Sequence, residues 1–198
     1  MNVVPLPMLR AKQVVPIIAL VDLQVEYVSV GRAYHLETAD AAVQSCARLL
    51  EKARKLRLPI AHFRQIHGGI FFNRATTFAG WIDSVKPHPN EYLYEREFPS
   101  CFSNKAFCDL IAAIEQPEII FGGLTGDCAG LSTVIESIQR NCNITFVQDC
   151  AASSPLGDLC EAEAHSVICQ IIKRHADVVS LSNVMGRLEK LSAMRWSK

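Results

Sequence analysis

The chain has 198 residues, 49% of them hydrophobic, and its 20 basic residues balance 20 acidic ones. This length suits one domain, and we expect a single domain over residues 1–198 with its core at about 16–188. Zero net charge provides no electrostatic attraction for nucleic acid or a membrane surface, so we expect neither as a partner.

The N-terminal segment and the eight cysteines indicate the cellular compartment. Residues 1–12 are interrupted by proline and lack the apolar centre of a signal peptide. No apolar run approaches the length of a membrane span. Cysteines without a secretory signal are typically reduced thiols, and their spacing contains no paired Cys-x-x-Cys zinc pattern. We therefore expect a cytoplasmic protein.

Predicted strands and helices alternate along the chain. The continuous apolar run Pro16–Val21 is typical of a strand buried on both faces. Further strands are predicted at 59–63, 118–121, 143–148 and 176–180, and helices at 38–58 (with Thr38 as a cap), 107–114, 131–138 and 159–175. This alternation predicts an α/β fold, a three-layer αβα sandwich with a mostly parallel, Rossmann-like sheet. Residues 65–99 lack clear periodicity, and we interpret them as a long irregular, functional segment.

Asp22 and Cys128 each follow a predicted strand. The carboxyl ends of parallel strands share one edge of the sheet, where binding sites lie in such folds. Cys128 also precedes a predicted helix, whose N-terminal N–H groups favour a thiolate. We therefore interpret Cys128 as a nucleophile and Asp22 as its base. The alternatives are that Cys128 is core filler and that Asp22 only closes a strand or caps a turn.

These segments resemble the isochorismatase-like cysteine hydrolases, a superfamily that includes nicotinamidases and N-carbamoylsarcosine amidases. The resemblance covers nearly the whole chain, from about residue 16 to about residue 188. The matching motifs are Asp22-Leu23-Gln24 with Tyr27, then Gly122, Thr125 and Cys128, and finally Asp149-Cys150-Ala151-Ala152-Ser153. The first of these is similar to the motif that carries the family's catalytic aspartate, and the second to its nucleophile motif.

The resemblance implies a catalytic triad of Asp, Lys and Cys, but Arg96 stands at the lysine position. Arginine keeps the positive charge, yet it is planar, bulkier and effectively never deprotonated. Its guanidinium can grip Asp22 and hold that base ionised, so we assign Arg96 to the triad. The alternative is that Arg96 only pairs with neighbouring carboxylates such as Glu95 or Glu97.

The resemblance also implies a cis peptide between Gly123 and Leu124. That peptide would turn the backbone N–H groups of Leu124 and Cys128 towards the oxygen of a tetrahedral intermediate. The substrate-pocket candidates are Tyr27, Trp81, Phe102, Arg64 and His67. Aromatic residues are as often core residues, which keeps the first three open.

Family nicotinamidases bind a divalent ion through an Asp-x-His motif and a nearby histidine. The corresponding segment here, His62–His67, lacks the aspartate. A single histidine is more often a hydrogen-bonded residue than a ligand. We expect no metal and no cofactor.

These features predict a cysteine amidohydrolase that cleaves a small amide, carbamoyl or ureido substrate through a thioester acyl-enzyme. One alternative is an isochorismatase-type vinyl-ether hydrolase, although members with that chemistry generally lack the cysteine. Another is a catalytically impaired relative with a binding or scaffold role, which the exchange at Arg96 keeps open. We expect a homo-oligomer, a dimer or a tetramer, with a small-molecule substrate.

Overall fold

A computed structural model of the chain describes residues 15–114 and 116–196. Six parallel strands form one sheet in the order β3-β2-β1-β4-β5-β6. The strands are β1 (Val15–Val21), β2 (Ile60–Gln65), β3 (Tyr92–Arg96), β4 (Pro117–Gly123), β5 (Asn143–Ala151) and β6 (Asp177–Val179). The helices are α1 (Ala39–Lys55), α2 (Lys105–Ala112), α3 (Leu131–Gln139), α4 (Glu161–Ile172) and α5 (Leu181–Trp196).

Helices cover both faces of the sheet, because successive side chains of a strand point to opposite faces. Ile18 and Leu20 of β1 belong to a core cluster that includes residues of α1 and α5. Ile17 and Ala19 belong to a second cluster with residues of α2, α3 and α4. The predicted three-layer αβα sandwich with a parallel sheet is confirmed. No helix within the described ranges combines the length and the apolar character needed to cross a membrane.

The strand order reverses between β1 and β4. The chain builds β2 and β3 outward on one side of β1, and β4, β5 and β6 on the other side. Such a reversal leaves a crevice at the carboxyl ends of the two central strands. Val21 and Gly123, the last residues of these strands, are register partners. Asp22 and the segment that leads to Cys128 therefore leave the sheet side by side.

Residues 65–99 are more regular than predicted. Strand β2 runs on to Gln65, short 3₁₀ turns occupy Thr77–Ala79 and Asp83–Val85, and Tyr92–Arg96 forms the edge strand β3. The prediction of an irregular segment was therefore wrong for β3. An edge strand lacks the continuous apolar run of a central strand, and Tyr92 and Leu93 are exposed here.

Helix α5 was not predicted, although its signal is present in the sequence. Leu181, Val184 and Leu188 recur at helical spacing and are all buried. The hydroxyl of Ser180 accepts the N–H of Asn183 at 3.3 Å, which satisfies one donor of the first helical turn.

Gly123 lies where β4 passes closest to the end of β1. Its φ is +151°, and a Cβ at this position would lie 2.0 Å from the carbonyl oxygen of Val21. No side chain fits there unless the two central strands move apart. The close approach of the site's two strands therefore requires glycine.

We expect Gly123→Ala to lower the free energy of unfolding by about 3 kcal/mol or more, because it combines a backbone clash with an unfavourable φ. Gly31→Ala is the matched control: Gly31 also has a positive φ, +83°, but no atom lies within 4 Å of the added carbon. That control should cost only about 1–2 kcal/mol of backbone strain. Urea unfolding measures the free energy of unfolding of both variants. Equal decreases in the two variants would contradict a clash at Gly123.

A charged network holds the start of β3 against α1 and β2. The carboxylate of Glu91 accepts bonds from Arg54 at 2.7 and 2.9 Å, from the His88 N–H at 2.8 Å and from His62 Nε2 at 2.8 Å. Burial alone would raise the pKa of Glu91, but these bonds lower it to about 2. Burial lowers the pKa of His62, whose side chain has no exposed surface.

A depressed carboxyl pKa predicts how stability depends on pH. The contribution of Glu91 is complete above its ordinary pKa of 4.5 and is lost as the pH falls towards 2. We expect Glu91→Gln to be less stable than the wild type above pH 4.5, with a difference that narrows as the pH falls towards 2. Denaturant unfolding at several pH values tests this, and a constant difference would contradict it.

Candidate active site

Asp22 is the first residue after β1 and lies fully buried at the crevice. Its φ of +57° is in the left-handed region, which aspartate tolerates better than most residues. Two backbone bonds hold this conformation: its N–H donates to the Phe63 carbonyl at 2.8 Å, and its carbonyl accepts the Gln24 N–H at 2.7 Å. The side chain is therefore presented by a rigid strand end.

The guanidinium of Arg96 binds the carboxylate of Asp22. Arg96 Nη2 donates to Asp22 Oδ2, while Nη1 donates to the Phe98 carbonyl at 2.9 Å. The two side chains are 1% and 0% exposed, so the ion pair is buried. Burial acts to lower the pKa of Arg96, but the charge of Asp22 outweighs it, and the net pKa is raised. Arg96 therefore remains a permanent cation.

The alternative pairing of Arg96 with neighbouring carboxylates is not observed. Glu95 points elsewhere and binds two other arginines, Arg64 at 2.5 Å and Arg74. Successive residues of a strand face opposite sides of the sheet, which separates Glu95 from Arg96. Arg96 thus lies in the candidate site.

Thr125 supplies a second bond to Asp22 that the sequence analysis missed. Its hydroxyl donates to Asp22 Oδ2 at 2.5 Å, and both residues are buried. The other carboxylate oxygen, Oδ1, is buried and has no hydrogen-bond partner among the described residues. The sequence showed Thr125 only as a motif position, because its partner is 103 residues away.

Cys128 is exposed at the mouth of the crevice, in the helical turn Gly126–Gly130 that leads directly into α3. Partial burial of the thiol removes some of its hydration and raises its pKa. Arg96 acts to lower it, the charges of Asp127 and Asp22 raise it, and the net pKa lies above the ordinary value. The expected stabilisation of a thiolate is therefore wrong. The thiol needs a base to remove its proton.

Burial and the charges of the candidate site both act on the phenol of Tyr27. It is 2% exposed, and burial raises the pKa of its phenol well above the ordinary value. The charges of Asp22 and Cys128 also raise that pKa, and the charge of Arg96 lowers it. Tyr27 is thus a neutral phenol that packs in the core against Phe72, and its place in a substrate pocket stays a prediction.

Three other pocket candidates lie on the β2 side of the crevice. Trp81 forms an isolated bridge with Gln24 and lies 5.7 Å beneath the guanidinium carbon of Arg64. The ring of His67 is within 2.6 Å of the Gln65 amide nitrogen. Trp81 and Arg64 thus contact each other, His67 contacts Gln65, and their places in a substrate pocket stay predictions.

Phe102 differs from the prediction. Its ring is 3% exposed and packs against Phe107, with a centroid distance of 5.6 Å. Arg140 covers it at 5.0 Å. These are the contacts of a core residue, so we remove Phe102 from the pocket.

The expected oxyanion geometry is also corrected. No cis peptide bond is present in the described ranges, so the bond between Gly123 and Leu124 is trans. The Leu124 N–H donates to the Val21 carbonyl at 3.1 Å and is therefore not free to bind an oxyanion. The Cys128 N–H donates to the Thr125 carbonyl at 3.2 Å. The predicted two-donor oxyanion hole is not preformed in this structure.

Within residues 15–114 and 116–196, no group of three or more His, Cys, Asp or Glu side chains could hold a metal ion. His62, in the segment where family nicotinamidases bind their ion, instead pairs with Glu91.

A family model, the Isochorismatase domain, matches residues 16–180. The chain belongs to the isochorismatase family. This is a family of hydrolases, and the motifs at Asp22 and Cys128 lie within the matched range. Maleamate amidohydrolase from Pseudomonas putida is 20% identical over 193 residues, which cover 89% of this chain and 88% of that protein.

Solved structures share the isochorismatase fold with this chain. An isochorismatase from Pseudomonas putida has a TM-score of 0.79 at 24% identity and covers 85% of this chain and 89% of its own. A cysteine hydrolase from Pseudomonas syringae pv. phaseolicola has a TM-score of 0.80 at 18% identity, covering 88% and 92%. A ribonuclease from Caenorhabditis elegans reaches 0.68 at 14%, covering 86% and 79%. Proteins with different named activities share this fold, so the activity has to be argued from the site.

Removal of one partner of the buried ion pair should expose its energetic role. We expect Arg96→Met to lower the free energy of unfolding by about 3–5 kcal/mol, because it leaves the Asp22 charge buried without compensation. The double variant Asp22→Asn/Arg96→Met should be more stable than Arg96→Met alone. The control Arg74→Met removes an arginine that is 66% exposed and should cost less than about 1 kcal/mol.

Chemical denaturation of the four proteins measures these differences. If Arg96→Met costs no more than Arg74→Met, the ion pair is not buried in solution.

Proposed function

We propose that this member of the isochorismatase family is a cysteine amidohydrolase acting on a small amide, carbamoyl or ureido compound. The observation that supports the proposal best is the buried ion pair of Asp22 and Arg96 at the crevice between β1 and β4, where the turn that follows β4 carries the exposed Cys128. A buried carboxylate, a permanent cation and an accessible thiol are the groups that thiol-dependent acyl transfer needs.

The proposed reaction begins with proton transfer from Cys128 to Asp22. Because the pKa of Cys128 is raised, the thiol is protonated at neutral pH and the carboxylate removes its proton as the sulfur attacks. Asp22 Oδ2 is already bonded, so the unpartnered Oδ1 is the oxygen available to accept the proton. The attack forms a bond between Cys128 Sγ and the carbonyl carbon of the substrate.

Collapse of the tetrahedral intermediate breaks the C–N bond, and Asp22 returns the proton to the leaving ammonia or amine. Asp22 then takes a proton from water, whose oxygen attacks the thioester. The C–S bond breaks, the acid is released, and Asp22 returns the proton to the Cys128 sulfur. A backbone donor to the oxyanion would require release of the Cys128 N–H from the Thr125 carbonyl, to which it donates in this structure.

Arg96 has an electrostatic part in this proposal. Its guanidinium binds the buried Asp22 carboxylate, and its charge acts to lower the pKa of Cys128. Since a guanidinium does not lose its proton, Arg96 takes no proton during the reaction. In this proposal Arg96 orients the Asp22 carboxylate and stabilises its charge, and Asp22 carries out all proton transfers.

The relative from Pseudomonas putida named maleamate amidohydrolase makes maleamate the first compound to test. At 20% identity that relative supports the reaction class, cleavage of an amide with release of ammonia, more than the individual substrate. Carbamoyl and ureido compounds belong in the same panel because they place the same carbonyl beside a nitrogen leaving group.

We expect the purified protein to release ammonia from maleamate or another small amide, measured by a coupled ammonia assay. Cys128→Ala should abolish this release, because it removes the proposed nucleophile that forms the thioester. Asp22→Asn should reduce it by about 10²–10⁴-fold, the usual effect of losing a general base. Cys160→Ala is the control, since Cys160 is also exposed but lies at the start of α4.

The same assay separates the alternatives. If the wild type hydrolyses no amide but Arg96→Lys does, the protein is an impaired relative with a binding role. If a vinyl ether is cleaved by both the wild type and Cys128→Ala, the thiol is not the nucleophile and the proposal is wrong.

A further inference from the structure

Thr125 connects the proposed base to the proposed nucleophile. Its hydroxyl donates to Asp22 Oδ2 at 2.5 Å. Its carbonyl accepts the N–H of Cys128 at 3.2 Å and the N–H of Gly130 at 2.9 Å. We infer that Thr125 is a positioning residue that directs Oδ1 of Asp22 towards the thiol proton; this inference rests on the proposed function.

The two oxygens of Asp22 are unequally bonded. Oδ2 receives Arg96 Nη2 and the Thr125 hydroxyl, whereas Oδ1 has no partner among the described residues despite its complete burial. An ionised carboxylate only accepts hydrogen bonds, so the Thr125 hydroxyl must be the donor. Two donors on one oxygen hold the carboxylate in a single orientation and leave the lone pairs of Oδ1 for the thiol proton.

Backbone hydrogen bonds on both sides of Thr125 fix its main chain, from which the hydroxyl reaches Asp22. The preceding N–H, of Leu124, donates to the carbonyl of Val21 at 3.1 Å. The following N–H, of Gly126, donates to the carbonyl of Ala152 at 2.8 Å. Thr125 is thus fixed on both sides to the sheet edge. Its branched Cβ further restricts the side chain to few rotamers.

The other ionisable groups whose charges act at the site are Arg96, Tyr27, Cys101, Cys128 and Asp127. The first four have raised pKa values and keep their protons below neutral pH. Asp127 accepts the N–H of Ser154 at 3.2 Å. Because the Thr125 hydroxyl bonds to Asp22, Asp22 is the group through which Thr125 acts.

Two substitutions separate the hydroxyl from the shape of the side chain. Thr125→Val keeps the branched shape and loses the donor, whereas Thr125→Ser keeps the donor. The control Thr145→Val makes the same change at a second buried threonine, which donates to the Glu118 carboxylate at 2.7 Å at the opposite edge of the sheet. All variants are first compared by circular dichroism and thermal unfolding.

The first measurement is independent of any substrate. The rate at which iodoacetamide alkylates Cys128 is followed by peptide mapping from pH 4 to 9. We expect Thr125→Val to slow alkylation at neutral pH by about 10-fold and to shift the pH profile of alkylation, because the Asp22 carboxylate loses one charge-assisted bond. Thr125→Ser should stay within about threefold of the wild type, and Thr145→Val should match it.

The second measurement uses the amide that the ammonia assay identifies. Thr125→Val should lower kcat by about 10- to 100-fold with KM nearly unchanged, and Thr125→Ser should restore most of the rate. The inference would be overturned if the pH profile of Cys128 alkylation in Thr125→Val matched that of the wild type. It would also be overturned if Thr125→Val and Thr125→Ser lowered kcat equally. If Thr125→Val does not fold, Thr125→Ala is judged by the same two criteria.

The outcomes distinguish this inference from the proposed function. If no amide is hydrolysed but the alkylation profile shifts in Thr125→Val and not in Thr125→Ser, the positioning role stands and the proposed function fails. If amides are hydrolysed and Thr125→Val behaves as wild type, the proposed function stands and the positioning role fails.

Discussion

The buried ion pair between Asp22 and Arg96 constrains the rest of this structure. Removing two charges from water costs several kcal/mol for each ion, and only close geometry with further hydrogen bonds offsets that cost. Thr125 and the Phe98 carbonyl supply such bonds. Since Arg96 ends the edge strand β3, that strand must also be held in place, and the Glu91 network does so at its other end. A feature remote from the thiol thereby supports the site.

Arginine at this position changes how the site can work. A lysine would place a compact charge with three rotatable donors beside the carboxylate, and its proton can leave. The guanidinium of Arg96 instead bridges Asp22 and the Phe98 carbonyl with different nitrogens, and its pKa is raised further by the carboxylate. The positive charge is therefore independent of pH across the range in which proteins function, so the proposed reaction assigns proton transfer to Asp22.

The close approach of β1 and β4 determines what the backbone near the thiol can do. The Gly123 backbone lies against the Val21 carbonyl, and the next N–H donates to that same oxygen. This bond occupies the amide of Leu124, which the family resemblance had assigned to an oxyanion. The same contacts hold the loop that carries Thr125. In the proposed reaction, this arrangement therefore withholds the Leu124 N–H from the intermediate and fixes the Thr125 hydroxyl on Asp22.

The sequence alone predicted the α/β class, the central strands and the placement of Asp22 and Cys128 at one edge, because buried parallel strands are continuous apolar runs and their ends converge. The family resemblance added Arg96, at the position of the family's lysine. Only the tertiary structure revealed strand β3, the bond from Thr125 to Asp22, the core position of Phe102 and the raised pKa of Cys128. An edge strand has no strong apolar signal, and hydrogen bonds, burial and pKa values depend on residues that are distant in the chain and adjacent only after folding.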